Sequence, residues 1–422
     1  MRCMIKKIFY FFCILNFTLS SYATGILIPM DGEQTDHLRA YGVVYWALKH
    51  DVSGWWLLNY RGGSFLLPYA KEIESECLIR NVRYQTISSA QQELILHEIS
   101  QPDVNQDAIQ LDKAPRIAVY SPEEALPWDD AVTLVLTYAQ VPYDVLYDTE
   151  IILGKLTDYD WLHLHHEDFT GQYGKFYGAY GHTAWYQNQV KNAEDNARAL
   201  GFSKVSLLKL AVAKTIKEYV RNGGFLFAMC SGTDSFDIAL AAEGIDICHD
   251  VFDGDPYDPD MNSKLDYSKC FAFTDFTLVL NPLEYEYSDI DVTQNRRVSE
   301  SNDVFTLFEF SAKWDPVPTM LCQNHETVIK GFMGQTTAFD KRLIKPEVLI
   351  MGENKALDEA RYIHGNFGNG TWTFYGGHDP EDYRHYVGDH HTLLELYPNS
   401  PGYRLILNNI LFPAAKKKKL KT

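Results

Sequence analysis

Three things are scarce in this chain of 422 residues: cysteine, basic charge and long apolar runs. Its seven cysteines are far apart, with no Cys-x-x-Cys pair among them. That excludes a disulfide scaffold and the paired-cysteine spacing of small zinc modules. Lys and Arg number 38 against 56 Asp and Glu, a net charge of −18. Such a balance excludes non-specific nucleic-acid binding, which needs positive charge to meet phosphate. Beyond the first twenty residues no stretch is long and apolar enough to cross a bilayer, so no membrane span is expected.

What is present starts with an export signal. Arg2, Lys6 and Lys7 precede an apolar run from Ile8 to Leu19, and Ser21 and Ala23 occupy small-residue cleavage positions. The pattern predicts a signal peptide over 1–23 and a periplasmic or secreted chain that begins near Thr24. Cys3 and Cys13 would leave with it. The five that remain are an odd number, so one thiol stays unpaired, and Cys230 is assigned that state. At the other end, 414–422 holds Lys416 to Lys419 and Lys421, a basic, solvated tail. The 27 Tyr and 23 Phe of the whole chain, most of them between the ends, supply material for a large core.

The chain is organised around Lys214–Leu240. Leu208, Val212, Ile216 and Tyr219 fall at helical spacing, and Gly223-Gly224 ends that helix. Phe225–Met229 is a continuous apolar run, the mark of a strand buried on both faces. Cys230 follows, at the corner before a second helix. Open α/β folds place their sites at this carboxyl edge. A helix N-terminus favours thiolate, so a lowered Cys230 pKa and an exposed side chain are expected. Ala228 and Gly232, two residues to either side, are small enough for strand and helix to close together.

Before this unit come two strand–helix–strand patterns, Gly25–Tyr60 and Arg116–Tyr147, which read as a weak duplication or as ordinary α/β recurrence. Gln101–Lys113 is polar and acidic and reads as a linker. It divides an N-terminal α/β module (24–113) from a larger α/β domain (114–413). Trp161–His166 is a strand with Leu162 and Leu164 on one face and His163 and His165 on the other. His166, Glu167 and Asp168 emerge from its end, followed by a Gly/Tyr loop over 170–181. Strand candidates continue at Phe273–Asn281, Val304–Ala312, Thr319–Cys322, Val348–Met351 and Thr371–Tyr375. Pro401–Leu411 is a closing helix.

Three groupings carry chemistry. The first joins Cys230 to Gly376-Gly377-His378-Asp379-Pro380-Glu381, past the end of the Thr371–Tyr375 strand. A thiol nucleophile needs a base, and the base a carboxylate, which gives Cys230, His378 and Glu381 or Asp379. The second is the histidine strand with its carboxylates, read as a polar substrate-binding or proton-relay surface. Divalent-metal ligation is the lesser reading of those residue types. The third, Asp253–Asp260, alternates carboxylates but lacks the closing glutamate of a calcium loop, since Lys264 stands there. It reads as a solvated acidic loop.

An elbow cysteine followed by a late strand ending in histidine and glutamate resembles class I glutamine amidotransferase-like proteins. The late Gly-His also resembles the ThuA-like relatives. The likeness spans roughly Arg116 to Pro413. It implies a mostly parallel, doubly wound sheet with helices on both faces. It also implies a hydrolase of C–N or ester bonds with Cys230 as nucleophile, His378 as base and Glu381 behind it. Backbone amides near Ser231 and Gly171 would hold the oxyanion. His165, His166, Glu167, Asp168 and Tyr173 would face the substrate, with no metal and no cofactor. Separately, Ser231-Gly232-Thr233-Asp234-Ser235 resembles the pyrophosphate loop of asparagine synthetase B, which implies an ATP-dependent amidotransferase. The competing class is a binding protein on the same scaffold. There the aromatic residues Tyr173, Phe176, Tyr177, Tyr180 and Trp185 would stack on a carbohydrate or peptide.

Overall fold

The computed structural model describes residues 23–123, 127–309, 311–315 and 325–416. The expected signal segment up to Tyr22, with Cys3 and Cys13, the expected Thr319–Cys322 strand and the tail from Lys417 onward lie outside the described residues. No described helix is long and apolar enough to cross a membrane.

The first sheet is built from 25–111. Its elements are β1 (Gly25–Ile28), α1 (His37–Lys49), β2 (Gly54–Leu58), β3 (Ser64–Pro68), α2 (Lys71–Ile79), β4 (Gln85–Ile87), α3 (Ser89–Ser100) and β5 (Asp107–Leu111). The strand order is β4-β1-β3-β2-β5, antiparallel throughout. The stretch read as a linker therefore supplies an edge strand. Asp107–Leu111 pairs with β2 and buries Ile109 and Leu111. Acidic composition hid a period-two pattern that only pairing reveals. The expected duplication is not geometric, because β3 separates β1 from β2.

The second sheet follows. Its elements are β6 (Ile117–Tyr120), α4 (Ala131–Ala139), β7 (Asp144–Leu146), α5 (Asp148–Ile152), β8 (Trp161–Leu164), α6 (Tyr177–Tyr180), α7 (Ala184–Ala199), α8 (Val205–Arg221), β9 (Phe225–Met229), α9 (Ser231–Ala241), α10 (Asp250–Asp253), β10 (Val304–Leu307), β11 (Val328–Lys330), β12 (Phe339–Asp340), β13 (Leu349–Asn354), β14 (Glu359–Phe367), β15 (Gly370–Tyr375) and α11 (Pro401–Leu411). The order is β11-β10-β13-β14-β15-β9-β8-β6-β7, with β12 on β14.

The fold is thus mixed α/β, and the large sheet is mixed rather than mostly parallel. β15, β9, β8, β6 and β7 run parallel, while β10 to β14 pair antiparallel. The change of sense comes from a hairpin, β14–β15, whose first strand was not read in the sequence. Arg361 and His364 interrupt its apolar pattern, yet both are buried. Phe273–Asn281, by contrast, forms no regular strand. β8 and β9 are central parallel neighbours, Trp161 against Phe225 through Leu164 against Ala228.

Alternation decides which side each residue serves. Trp161, Phe227 and Met229 share a core with Val132, Val135 and Leu136 of α4 and Leu405 and Ile406 of α11. Leu162, Leu226 and Ala228 face the other way, onto Leu208, Val212 and Ile216 of α8. His163 and His165 follow Trp161 at period two, which directs them to the α4 side. Arg404 of α11 ties the first sheet to this core by donating to Met30 O at 3.2 Å and to Tyr41 Oη at 3.0 Å.

Candidate active site

At Cys230 the chain leaves β9 and enters α9 with φ +50° and ψ −139°. Only glycine enters this region freely, and another residue pays about 1–3 kcal/mol to stay there. The strand and helix on either side are buried along their whole length, which over-determines the turn. Gly232 makes the close approach possible. Its N–H donates to His165 O at 2.6 Å, and a Cβ there would lie 2.6 Å from the same oxygen. Gly232→Ala is therefore expected to cost about 1–3 kcal/mol, read as a lowered urea midpoint. An unchanged midpoint would show that the contact yields easily.

His378 reaches the same place from the end of β15. Its ring lies 4.6 Å from that of His165 and 5.7 Å from that of His166, centroid to centroid. One donor atom each from His165, Cys230 and His378 lies within 4.8 Å of the other two. These three could hold a borderline metal ion as well as pass a proton.

Carboxylates back the imidazoles. Asp129 Oδ1 is 3.6 Å from His378 Nε2 and 3.0 Å from His385 Nε2, and its Oδ2 is 3.6 Å from His391 Nδ1. Asp130 Oδ2 is 3.1 Å from His163 Nε2 and 3.3 Å from His165 Nδ1. Burial pushes the Asp129 carboxyl up, but the His378 contact and the His385 charge reverse it and hold it below the carboxylate range. Asp130 behaves likewise, with His163 and His165 overcoming burial and carrying it well below. Burial pushes His165 down to about 4 and His166 well below its ordinary value, so both are neutral near pH 7.

Two expectations change at this point. Glu381 is not beside His378: its carboxyl bonds with Ser400, and burial raises it. Asp379 Oδ1 accepts from the Glu381 N–H at 2.8 Å. The carboxylate on His378 is Asp129. Second, Cys230 is 4% exposed rather than open, and burial pushes its thiol up to about 12. The N–H groups of Ser231 and Gln335, both directed at the sulfur, only partly offset that burial. The expected lowering therefore fails in the free site, because desolvation of a thiolate outweighs two amide dipoles.

The remaining expected residues divide between a cavity and its walls. A cavity of about 580 Å³ opens beside α7, lined by His166, Glu167, Asp168, Gly171 and Tyr173, with Trp128 and Trp185. Burial pushes Glu167 up to about 8. Asp168 serves the loop itself, accepting from Thr170 N at 2.6 Å and Gly174 N at 3.2 Å. Gly171 packs on Ser206 at the start of α8, where a Cβ would come within 2.8 Å. Phe176 packs edge-on and Tyr180 at a tilt against Trp185, and neither lines the space. A second cavity, about 850 Å³, lies at the opposite edge of the sheet beside Gly224 and Gly370.

The other two motifs make internal contacts. Lys204 Nζ draws in Asp253 and Asp255 of the acidic loop at 2.9 and 2.6 Å, and Asp246 before it at 2.5 Å, while Asp255 and Asp260 stay exposed, so the loop is solvated as expected and anchored at one end. In the pyrophosphate-like loop, Thr233 N donates to Cys230 O, and Ser235 Oγ donates to Ser231 O. Asp234 does not cap α9, since it lies inside the helix and accepts from Thr336 Oγ1 at 2.9 Å.

Asp129, Asp130, His385, Gln335 and Trp128 were missed. For the aspartates a signal existed: they stand between a strand and the helix after it, at the same carboxyl edge as Cys230. Gln335 had none, because it arrives from an irregular segment.

No family model and no curated protein matches the chain. Among solved structures it is similar to a cytoplasmic protein of Salmonella typhimurium at 12% identity and TM-score 0.35, covering 72% of this chain and 100% of that one. A second cytoplasmic protein, from strain LT2, is similar at 11% identity and TM-score 0.33, covering 71% and 99%. A GH42 β-galactosidase is similar at 9% identity and TM-score 0.25, covering 63% and 28%. Likeness at this level bears on neither the fold nor the site.

Proposed function

We propose that the chain is a cysteine-dependent hydrolase of amide or ester bonds on an amidotransferase-like parallel half-sheet, acting outside the cytoplasm. The observation that carries it is the strained backbone of Cys230, a non-glycine residue at φ +50° whose sulfur sits within 4.8 Å of imidazole donors of His165 and His378. Strain of this kind gathers where a nucleophile must be presented at a strand-to-helix turn. The thiol would pass its proton to His378 as sulfur attacks the acyl carbon, and Asp129 would steady the resulting imidazolium. The C–N or C–O bond then breaks, the leaving amine or alcohol takes the proton back, and water hydrolyses the thioester. The N–H groups of Ser231 and Gln335, directed at the sulfur, would meet the oxyanion.

p-Nitrophenyl acetate tests the reading. One equivalent of nitrophenolate per chain should appear in a burst, with the acetyl mass on the Cys230 peptide alone. No burst, or label shared with Cys77, Cys248 and Cys270, would overturn it.

One observation favours the second reading, a binding protein without a covalent step. The thiol is buried and its pKa raised, as for the structural thiol of Cys77, which burial also pushes up to about 12. The asparagine synthetase-like alternative has less support, since the N–H of Gly232 and that of Thr233 are already bonded within the fold.

A further inference from the structure

The cavity beside α7 holds an unusual set of atoms. Trp128 Nε1, His166 Nδ1, Glu167 Oε2 and Gln189 Oε1 are all shielded from solvent, and among the described residues none has a hydrogen-bond partner. All four residues line the one cavity. A buried polar atom left unbonded is costly, so four around one space specify a ligand that bonds them together. An indole donor, an amide acceptor, an imidazole and a carboxyl require donors and acceptors mixed on a single molecule.

Charge narrows the class. Among the described residues the one lysine lining the space, Lys209, is bound to Asp148 at 3.0 Å and to Tyr147 Oη at 3.0 Å, so it has little left for an anion. Glu123 and Glu150, also in the lining, repel one. Asn188 and Asn192 follow Gln189's neighbourhood along α7, one helical turn apart, and add neutral amides. Trp128 and Trp185, 5.3 Å apart and edge to face, give the space an apolar wall. Planar amides with an indole wall suit the alternating hydroxyl and C–H faces of a sugar.

We infer that this cavity is a subsite for a neutral carbohydrate of one or two rings. Resting on the hydrolase reading, the substrate becomes an acylated sugar, its ester or amide carbonyl directed past His166 toward Cys230. His166 is the shared wall, in the cavity lining on one side and 5.7 Å from the His378 ring on the other.

The test separates the two readings. The full chain and its Cys230→Ala variant are screened on an array of neutral mono- to tetrasaccharides, and hits are titrated by calorimetry beside glucuronic acid and the amide of Ala-Ala. Both chains should bind a neutral sugar equally. Gln189→Leu, which removes the side-chain amide at similar volume, and Trp128→Phe, which removes the indole N–H with part of the ring, should each weaken it about tenfold. Glucuronic acid should bind no better than its neutral counterpart. If no neutral sugar binds, or the peptide amide binds more tightly and is the ligand lost in Gln189→Leu, the carbohydrate inference is overturned. Sugar binding without an acyl burst at Cys230 would leave this inference standing and remove the hydrolase.

Discussion

Replacing His378 by alanine is expected to slow acyl transfer to Cys230 by about 10²–10⁴-fold, the range for a positioned general base. The size follows from the state of the free thiol. Burial pushes it up to about 12, so almost none is thiolate near neutrality and the proton must leave during attack. The measurement is the single-turnover burst with p-nitrophenyl acetate. Glu381→Gln is the control, because the Glu381 carboxyl bonds with Ser400 and not with the imidazole. It should leave the burst rate unchanged. A slow Glu381→Gln beside a normal His378→Ala would reverse the assignment and restore the acid expected from the sequence.

The second large effect concerns Asp129. One carboxylate faces His378 at 3.6 Å, His385 at 3.0 Å and His391 at 3.6 Å. A carboxylate in that position selects the imidazole tautomer and stabilises the cation formed on proton transfer. Asp129→Asn keeps the shape and removes the charge, so the burst should slow by about a hundredfold or more. Substrate concentration at half-maximal rate should hardly move, because Asp129 does not line the cavity. A change confined to that concentration would make Asp129 a structural anchor for the histidines instead. Asp130→Asn gives a second comparison: it supports His165 and His163, on the strand side of the cluster, and should slow the burst less than Asp129→Asn.

Several elements were legible because local chemistry dictates them. The apolar run Phe225–Met229, the alternation in Trp161–Leu164 and the proline-led helix Pro401–Leu411 all stand close to where their patterns put them. The elbow was legible too, since a strand followed at once by a helix leaves one residue to turn the chain. β5 and β14 were not. Their apolar residues are diluted by Asp107, Gln110, Arg361 and His364, and pairing rather than composition makes them strands. Arg361 is buried beside Asp303 at 3.7 Å, with Phe305 and Phe332 under its guanidinium, partners too distant in sequence to be visible to any local window.

By itself, the sequence determined an α/β chain with parallel strands at its centre, a cysteine at a sharp turn and a histidine past a later strand, while the antiparallel half of the sheet came only with the structure. Periodicity and turn chemistry act over a few residues, and a few residues suffice to read them. The tertiary structure alone decided which carboxylate serves His378, since Asp129 lies almost 250 residues away and arrives through the β6–α4 turn. It alone decided that the Cys230 thiol is buried, because desolvation depends on everything packed around the sulfur. Only the folded chain, too, gathers Trp128, His166, Glu167 and Gln189 around one space. Trp128 and Gln189 are unremarkable in sequence, and the unmet hydrogen bonds of all four exist only once the neighbours that shut out water are in place.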